Sequence, residues 1–140
     1  MLAAATLDAI AALLHLGCIA FGAPWYRFFG AGEPMAQLAE SGSAHPALVT
    51  TAIATVLLVW AGYALSGAGA IRRLPLLRST LCAITSVYLL RGLVGLLLAF
   101  GRDTLGRSAT FWFWSSIVCL AFGLVHLIGL RATWSQLVAR

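Results

Sequence analysis

Apolar residues run along this chain in four long stretches rather than in two-residue alternation, at about residues 7–26, 47–66, 80–100 and 111–130. Each stretch is close to the ~20 residues that a helix needs to cross a ~30 Å hydrocarbon layer. The pattern predicts an all-α integral membrane protein, an antiparallel four-helix transmembrane bundle forming one domain over residues 1–140.

Two connections carry further pattern. The longer, from Pro24 to Pro46, contains Pro34-Met35-Ala36-Gln37-Leu38-Ala39-Glu40 followed by Ser41-Gly42. Proline at the start and glycine past the end mark a short helix. Met35 and Leu38 are expected to rest on the membrane surface or on the mouth of the bundle, as an interfacial connector or as a lid. The other connection, Gly67 to Pro75, is short, glycine-rich and holds Arg72 and Arg73.

Composition agrees with the pattern. Hydrophobic residues make up 61% of the chain and charged ones 9%, whereas a soluble domain is about one-quarter charged. Little chain remains for a soluble catalytic domain. The net charge of +5 comes from arginine alone, with no lysine. The arginines sit singly or in pairs at the ends of stretches, so they do not form the basic face that nucleic acid requires. They orient the chain instead. Arg72, Arg73, Arg78, Arg131 and Arg140 fall on one side, against Arg27, Arg102 and Arg107 on the other. By the positive-inside rule both termini and the 67–77 connection are cytoplasmic. The aromatic groups Trp25, Tyr26, Phe28, Phe29 and Phe111 to Trp114 then fall on the outer rim. No basic residue precedes Arg27, so the first stretch lacks the charged flank of a signal peptide and is expected to stay attached.

Within each stretch the small and polar residues share a helical face. Asp8, Ala11, Ala12, His15, Cys18 and Gly22 form one such stripe, and Thr51, Thr55, Gly62 and Ser66, beside Tyr63, a second. The third is Thr85, Tyr88, Arg91, Gly92 and Gly95; the fourth is Ser116, Cys119, Gly123 and His126. Small residues allow close helix approach in lipid, so the four stripes are expected to face one another. Packing does not account for His15, Arg91 and His126, because ionisable groups are expensive in hydrocarbon and there mark functional sites by default. Arg91 presents a planar fork that stays charged and suits an anion or a lipid headgroup. Buried bonds to carbonyls or to Tyr88 would instead make it a lock on the bundle.

The expected ligand-binding cluster is therefore Arg91, Tyr88, His15, His126, Tyr63 and Asp8, with no catalytic residue and no metal site. The two histidines admit other uses: axial ligation of a b-type haem, a proton relay through Tyr63, Tyr88 and Asp8, or hydrogen bonds between helices. Cys18, Cys82 and Cys119 form no C-x-x-C pair and read as apolar packers. No HExxH, GxSxG, Walker-type loop or paired-carboxylate motif is present, so hydrolase and NTPase chemistry lacks residues to carry it.

The segment from Tyr63 to Arg78, Tyr-Ala-Leu-Ser-Gly-Ala-Gly-Ala-Ile-Arg-Arg-Leu-Pro-Leu-Leu-Arg, resembles a block in uncharacterised small bacterial membrane proteins. The plan of the whole chain resembles DoxX-type four-helix inner-membrane proteins. That resemblance implies a bacterial inner-membrane location and brings no catalytic residue. The function expected is binding or transport of a small anionic or lipid-headgroup ligand. The alternatives are a structural subunit of a larger membrane complex or homo-oligomer, and a haem electron-transfer protein. Membrane lipids are the expected partners.

Overall fold

Gly22 adopts φ 69° and ends the first helix, because the left-handed region is open to glycine and resisted by side chains. The computed structural model describes residues 1–101 and 108–138. The expectations for Arg102, Arg107 and Arg140 fall outside those residues, as does Asp103. Six helices follow in order: α1 (Leu2–Phe21), α2 (Ala23–Phe28), α3 (Glu33–Glu40), α4 (His45–Gly67), α5 (Leu77–Phe100) and α6 (Ala109–Val138). The described residues are helix and connection, with no strand among them. Helices α1, α4, α5 and α6 are long and apolar enough to cross a membrane. Their side chains suit that solvent: Leu13 is 65% exposed, Ile128 67% and Leu97 74%. In water a surface of this kind would drive aggregation.

The helix ends differ from those read by hydropathy. Helix α1 begins at Leu2, and Ala23 to Tyr26 belong to α2 after the Gly22 break. Helix α6 runs past Leu130 to Val138, making it ~45 Å long and longer than a hydrocarbon layer. Its extra turns are tied at the side: Arg73 Nη2 donates to the Leu137 carbonyl at 2.9 Å, and the Arg78 guanidinium lies 5.2 Å from the Trp134 ring centroid. The short helix expected at residues 34–40 is α3.

The chain divides into two compact units. One is Met1–Leu7 with Trp60–Arg140, and the other is Asp8–Val59.

In the Asp8–Val59 unit, the Gly22 turn sends the chain back. Trp25 folds over α1 so closely that a Cβ on Gly17 would stand 2.6 Å from its ring. Phe21 stacks on the same indole at 4.4 Å. Trp25 is therefore half-buried against its own helix, while Phe28 stays 83% exposed. Cys18, Ala23, Tyr26 and Ala36 form a small core that joins α1, α2 and α3, and Thr50 of α4 donates to the Tyr26 hydroxyl at 3.2 Å. Cys18 is the apolar packer that the sequence suggests. Helix α3 turns Ala36 inward, whereas Leu38 is exposed.

Arg27 clamps this hairpin. Its Nε and Nη2 donate to the two carboxylate oxygens of Glu33 at 2.9 and 2.7 Å, and Nη1 donates to Glu40 at 2.7 Å. The guanidinium holds both carboxyls below the usual carboxylate range, and they in turn raise the arginine further. All three groups are exposed, so solvent screening keeps the contribution small.

In the other unit α5 and α6 pack as an antiparallel pair. A Cβ on Gly92 would stand 3.1 Å from the Leu120 amide nitrogen, and one on Gly123 would stand 3.1 Å from that of Leu89. Backbone therefore approaches backbone, as small residues permit. The stripe on α4 is rotated from its expected face. Pro46, Thr50, Ala54, Leu57, Ala61 and Ala64 are buried, while Thr51 and Thr55 are exposed. The Thr55 hydroxyl donates to the Thr51 carbonyl at 2.8 Å, which satisfies it without a neighbouring helix. Alanine meets the small-residue requirement here, and a Cβ on Gly62 would meet nothing within 4 Å.

Gly123→Val is expected to lower thermal stability in mild detergent by about 1–3 kcal/mol, as overpacking does, while Gly62→Ala leaves it unchanged or raised. Circular-dichroism melts compare them; equal melting of Gly123→Val and wild type would dismiss the close seam. The Arg27 clamp has its own pH signature. Because both carboxyls are lowered on folding, its stabilisation is full above the ordinary carboxylate range and is lost as pH falls through the depressed values. Amide exchange at residues 29–32, corrected for its intrinsic pH dependence, is expected to speed up below that range, and not in Glu33→Gln/Glu40→Gln.

Candidate functional site

Arginine at position 91 lies mid-helix, ~14 Å from the end of α5 at Phe100, and its side chain does not stay at that level. The packing of Gly92 on Leu120 and Gly95 on Ser116 sets the antiparallel register and places Arg91 opposite residue 121 or so. Its guanidinium nevertheless lies 4.8 Å from the Trp112 ring centroid, and Nη2 donates to the Ser115 hydroxyl at 3.3 Å. The head has therefore risen ~6 Å, about one turn of α5 to the level of Gly95, in the direction of Phe100. Long cationic side chains extend in this way, with the stem on apolar surface and the head toward a polar boundary.

The surroundings of that head are sparse in acceptors. Nη1 is buried without a hydrogen-bond partner. Gly95 makes room for it, since a Cβ there would stand 2.5 Å from Nη1 and would overlap the Ser116 hydroxyl. Ser116 is itself fully buried and donates to the Trp112 carbonyl at 2.5 Å. The Ser115 bond is at the long end of the range for N–H···O. An indole face stabilises a guanidinium by about 2 kcal/mol when desolvated, but supplies no lone pair. A buried N–H of a charged group left without an acceptor costs at least about 1–3 kcal/mol. Arg27, by contrast, has two carboxylate partners, Glu33 and Glu40.

Tyr88 and His126 come together lower on the same pair, with ring centroids 5.2 Å apart. Trp60 of α4 packs edge-on to Tyr88 at 5.0 Å, and Phe122 lies at 5.5 Å. His126 is fully buried, and its Nδ1 meets the Phe122 carbonyl at 3.0 Å. The same i−4 arrangement recurs at His15, whose Nδ1 lies 2.7 Å from the Ala11 carbonyl. A carbonyl accepts only from N–H, so both rings carry hydrogen on Nδ1.

Tyr63 and Asp8 are each described within their own unit. The Tyr63 hydroxyl donates to the Pro75 carbonyl at 3.3 Å and serves the 68–76 connection. Asp8 is fully buried in α1, ~9 Å from the helix start rather than at the rim, because α1 begins earlier than hydropathy indicates. Asp8 and His15 belong to the Asp8–Val59 unit; Tyr63, Tyr88, Arg91 and His126 belong to the other.

Sequence reasoning missed Trp112 and Ser115 as partners of Arg91, having assigned Trp112 to the aromatic rim. The signal that could have found them is the length of arginine, which reaches a residue one to two turns up a facing helix. No group of three or more His, Cys, Asp or Glu able to hold a metal ion occurs among the described residues.

The chain matches no protein-family model, no curated protein and no solved structure.

Gly95→Ala is expected to push the guanidinium off its seat. Trp112 emission, read in a protein whose other tryptophans are phenylalanine, is expected to shift. An unshifted spectrum would remove Gly95 as the floor of the site.

Proposed function

We propose that this protein is a multi-pass protein of the bacterial inner membrane, an antiparallel four-helix bundle that binds a small anionic group or lipid headgroup through Arg91. The observation that carries this reading is the buried, unpartnered Nη1 of Arg91 beside Gly95 and Ser116. An oxygen anion placed there would accept from Nη1, draw Nη2 from its long bond to Ser115, and neutralise a charge held by an indole and a hydroxyl. Trp112 would form one wall.

The arginine count favours cytoplasmic termini. It sets the 101–108 connection, and with it the Arg91 head, toward the outer leaflet. Tyr88 and His126 contribute below the head as a packed, polar-edged cluster. Whether bound material then crosses the membrane is the transport form of the same proposal.

Arg91→Gln is expected to lose at least tenfold in anion or headgroup retention, since a charge-assisted bond is worth about 1.5–3 kcal/mol. Arg91→Lys is expected to keep only part of it, because an ammonium cannot reproduce the planar fork. Native mass spectrometry of gently solubilised protein, with folding checked by helix content, reads both. Wild-type retention in Arg91→Gln would overturn the proposal.

A further inference from the structure

We infer that the end of the α5–α6 pair carrying residues 68–76 is a binding surface for anionic phospholipid headgroups, built by Arg72, Arg78, Arg131 and Trp134. The Arg78 guanidinium lies over the Trp134 ring at 5.2 Å. Arg131 stands one helical turn before Trp134 and so shares its face. All four side chains are exposed. Arg73 differs from them, because its Nη2 is held by the Leu137 carbonyl at the end of α6.

The described residues of this unit include no acidic side chain. Residues 1–7, 60–101 and 108–138 contain five arginines and no Asp or Glu. The phosphates of an anionic bilayer would supply the complementary charge.

The connection itself is held in shape. The Ser66 hydroxyl donates to the Arg72 carbonyl at 3.1 Å and accepts from the Leu74 amide at 3.0 Å. Leu76 sits at φ 54° and is 78% exposed, and Ile71 is 43% exposed. A leucine in the left-handed region, turned outward beside arginines, has no role in the core. Apolar tips among guanidinium groups fit a bilayer surface, which supplies acyl chains and phosphates together. A soluble anion would use only the charges.

Spacing along α6 supports this placement. Trp112 and Trp134 are 22 residues apart by number, or ~33 Å along the helix, which matches a ~30 Å hydrocarbon layer. Each indole carries an arginine from α5, so a guanidinium–indole pair stands at either boundary. The surface at Arg78 is separate from Arg91 and does not depend on the Arg91 reading.

The test reconstitutes the full chain in nanodiscs of phosphatidylcholine with a minor share of phosphatidylglycerol, and measures the phosphatidylglycerol retained after detergent extraction. Wild type is expected to enrich the anionic lipid, and the combined variant Arg72→Gln/Arg78→Gln/Arg131→Gln to lose about fivefold per arginine. The matching Arg→Lys variant keeps most of the enrichment and controls for folding. Arg91→Gln is expected to keep the part of the enrichment due to this surface, and brominated phosphatidylglycerol to quench Trp134 within it. The proposal fails if wild type shows no preference for the anionic lipid, or if the glutamine variant retains it fully. It also fails if the lysine variant loses as much as the glutamine one, or if inorganic phosphate in pure phosphatidylcholine protects the surface equally.

Discussion

The close approach of α5 and α6 over Gly92, Gly95 and Gly123 is the contact on which the candidate sites depend. Without side chains at these positions the two backbones come within van der Waals reach, and the register of the pair follows. That register puts Trp112 and Ser115 where the Arg91 head can find them, sets Tyr88 against His126, and brings Trp134 beneath Arg78. A helix pair kept a few ångströms further apart would leave each of these contacts unmade. In hydrocarbon there is little hydrophobic drive between helices, so such packing has to come from shape and dispersion.

The second organising constraint is the expense of charge. Residues 60–101 and 108–138 contain no Asp or Glu, so the ordinary remedy for a buried arginine, an ion pair with an acidic side chain, is absent among the described residues of that segment. Arg78 and Arg91 meet indole faces, Arg91 also a hydroxyl, and Arg73 a carbonyl. These contacts orient a guanidinium without neutralising it. The Asp8–Val59 unit follows the opposite rule, where Arg27 is satisfied by two glutamates on an exposed hairpin. This contrast makes the arginines on α5 and α6 candidates for recognition and Arg27 a structural tie.

Much of the helical plan was legible in sequence because hydrocarbon length and helix rise are fixed quantities. Four apolar stretches, a proline-started short helix and a glycine stop gave the order of α1, α3, α4, α5 and α6, while α2, split from α1 at Gly22, was read as the end of the first stretch. Boundaries were harder. Hydropathy cannot see that Gly22 adopts a positive φ, nor that α6 continues through an exposed arginine and tryptophan. The stripe on α5 was read well because Gly92 and Gly95 had no alternative role. The stripe on α4 was misplaced because threonine can satisfy its own hydroxyl and face outward, while alanine quietly forms the packed face. Arg91 was recognised from cost alone, but the direction of its head depends on six or seven ångströms of flexible chain that no periodicity constrains.

What the sequence alone determined is the number of apolar helices, the residues too costly to be accidental, and the scarcity of acidic residues, four in the whole chain. These depend on composition and spacing, which are properties of the chain. Tertiary structure decided which helix the arginine leans on, that Tyr63 serves a connection rather than a pocket, and that two guanidinium–indole pairs stand a membrane's thickness apart. Those outcomes depend on register and rotamer, and both are chosen only when a second helix supplies the surface to pack against.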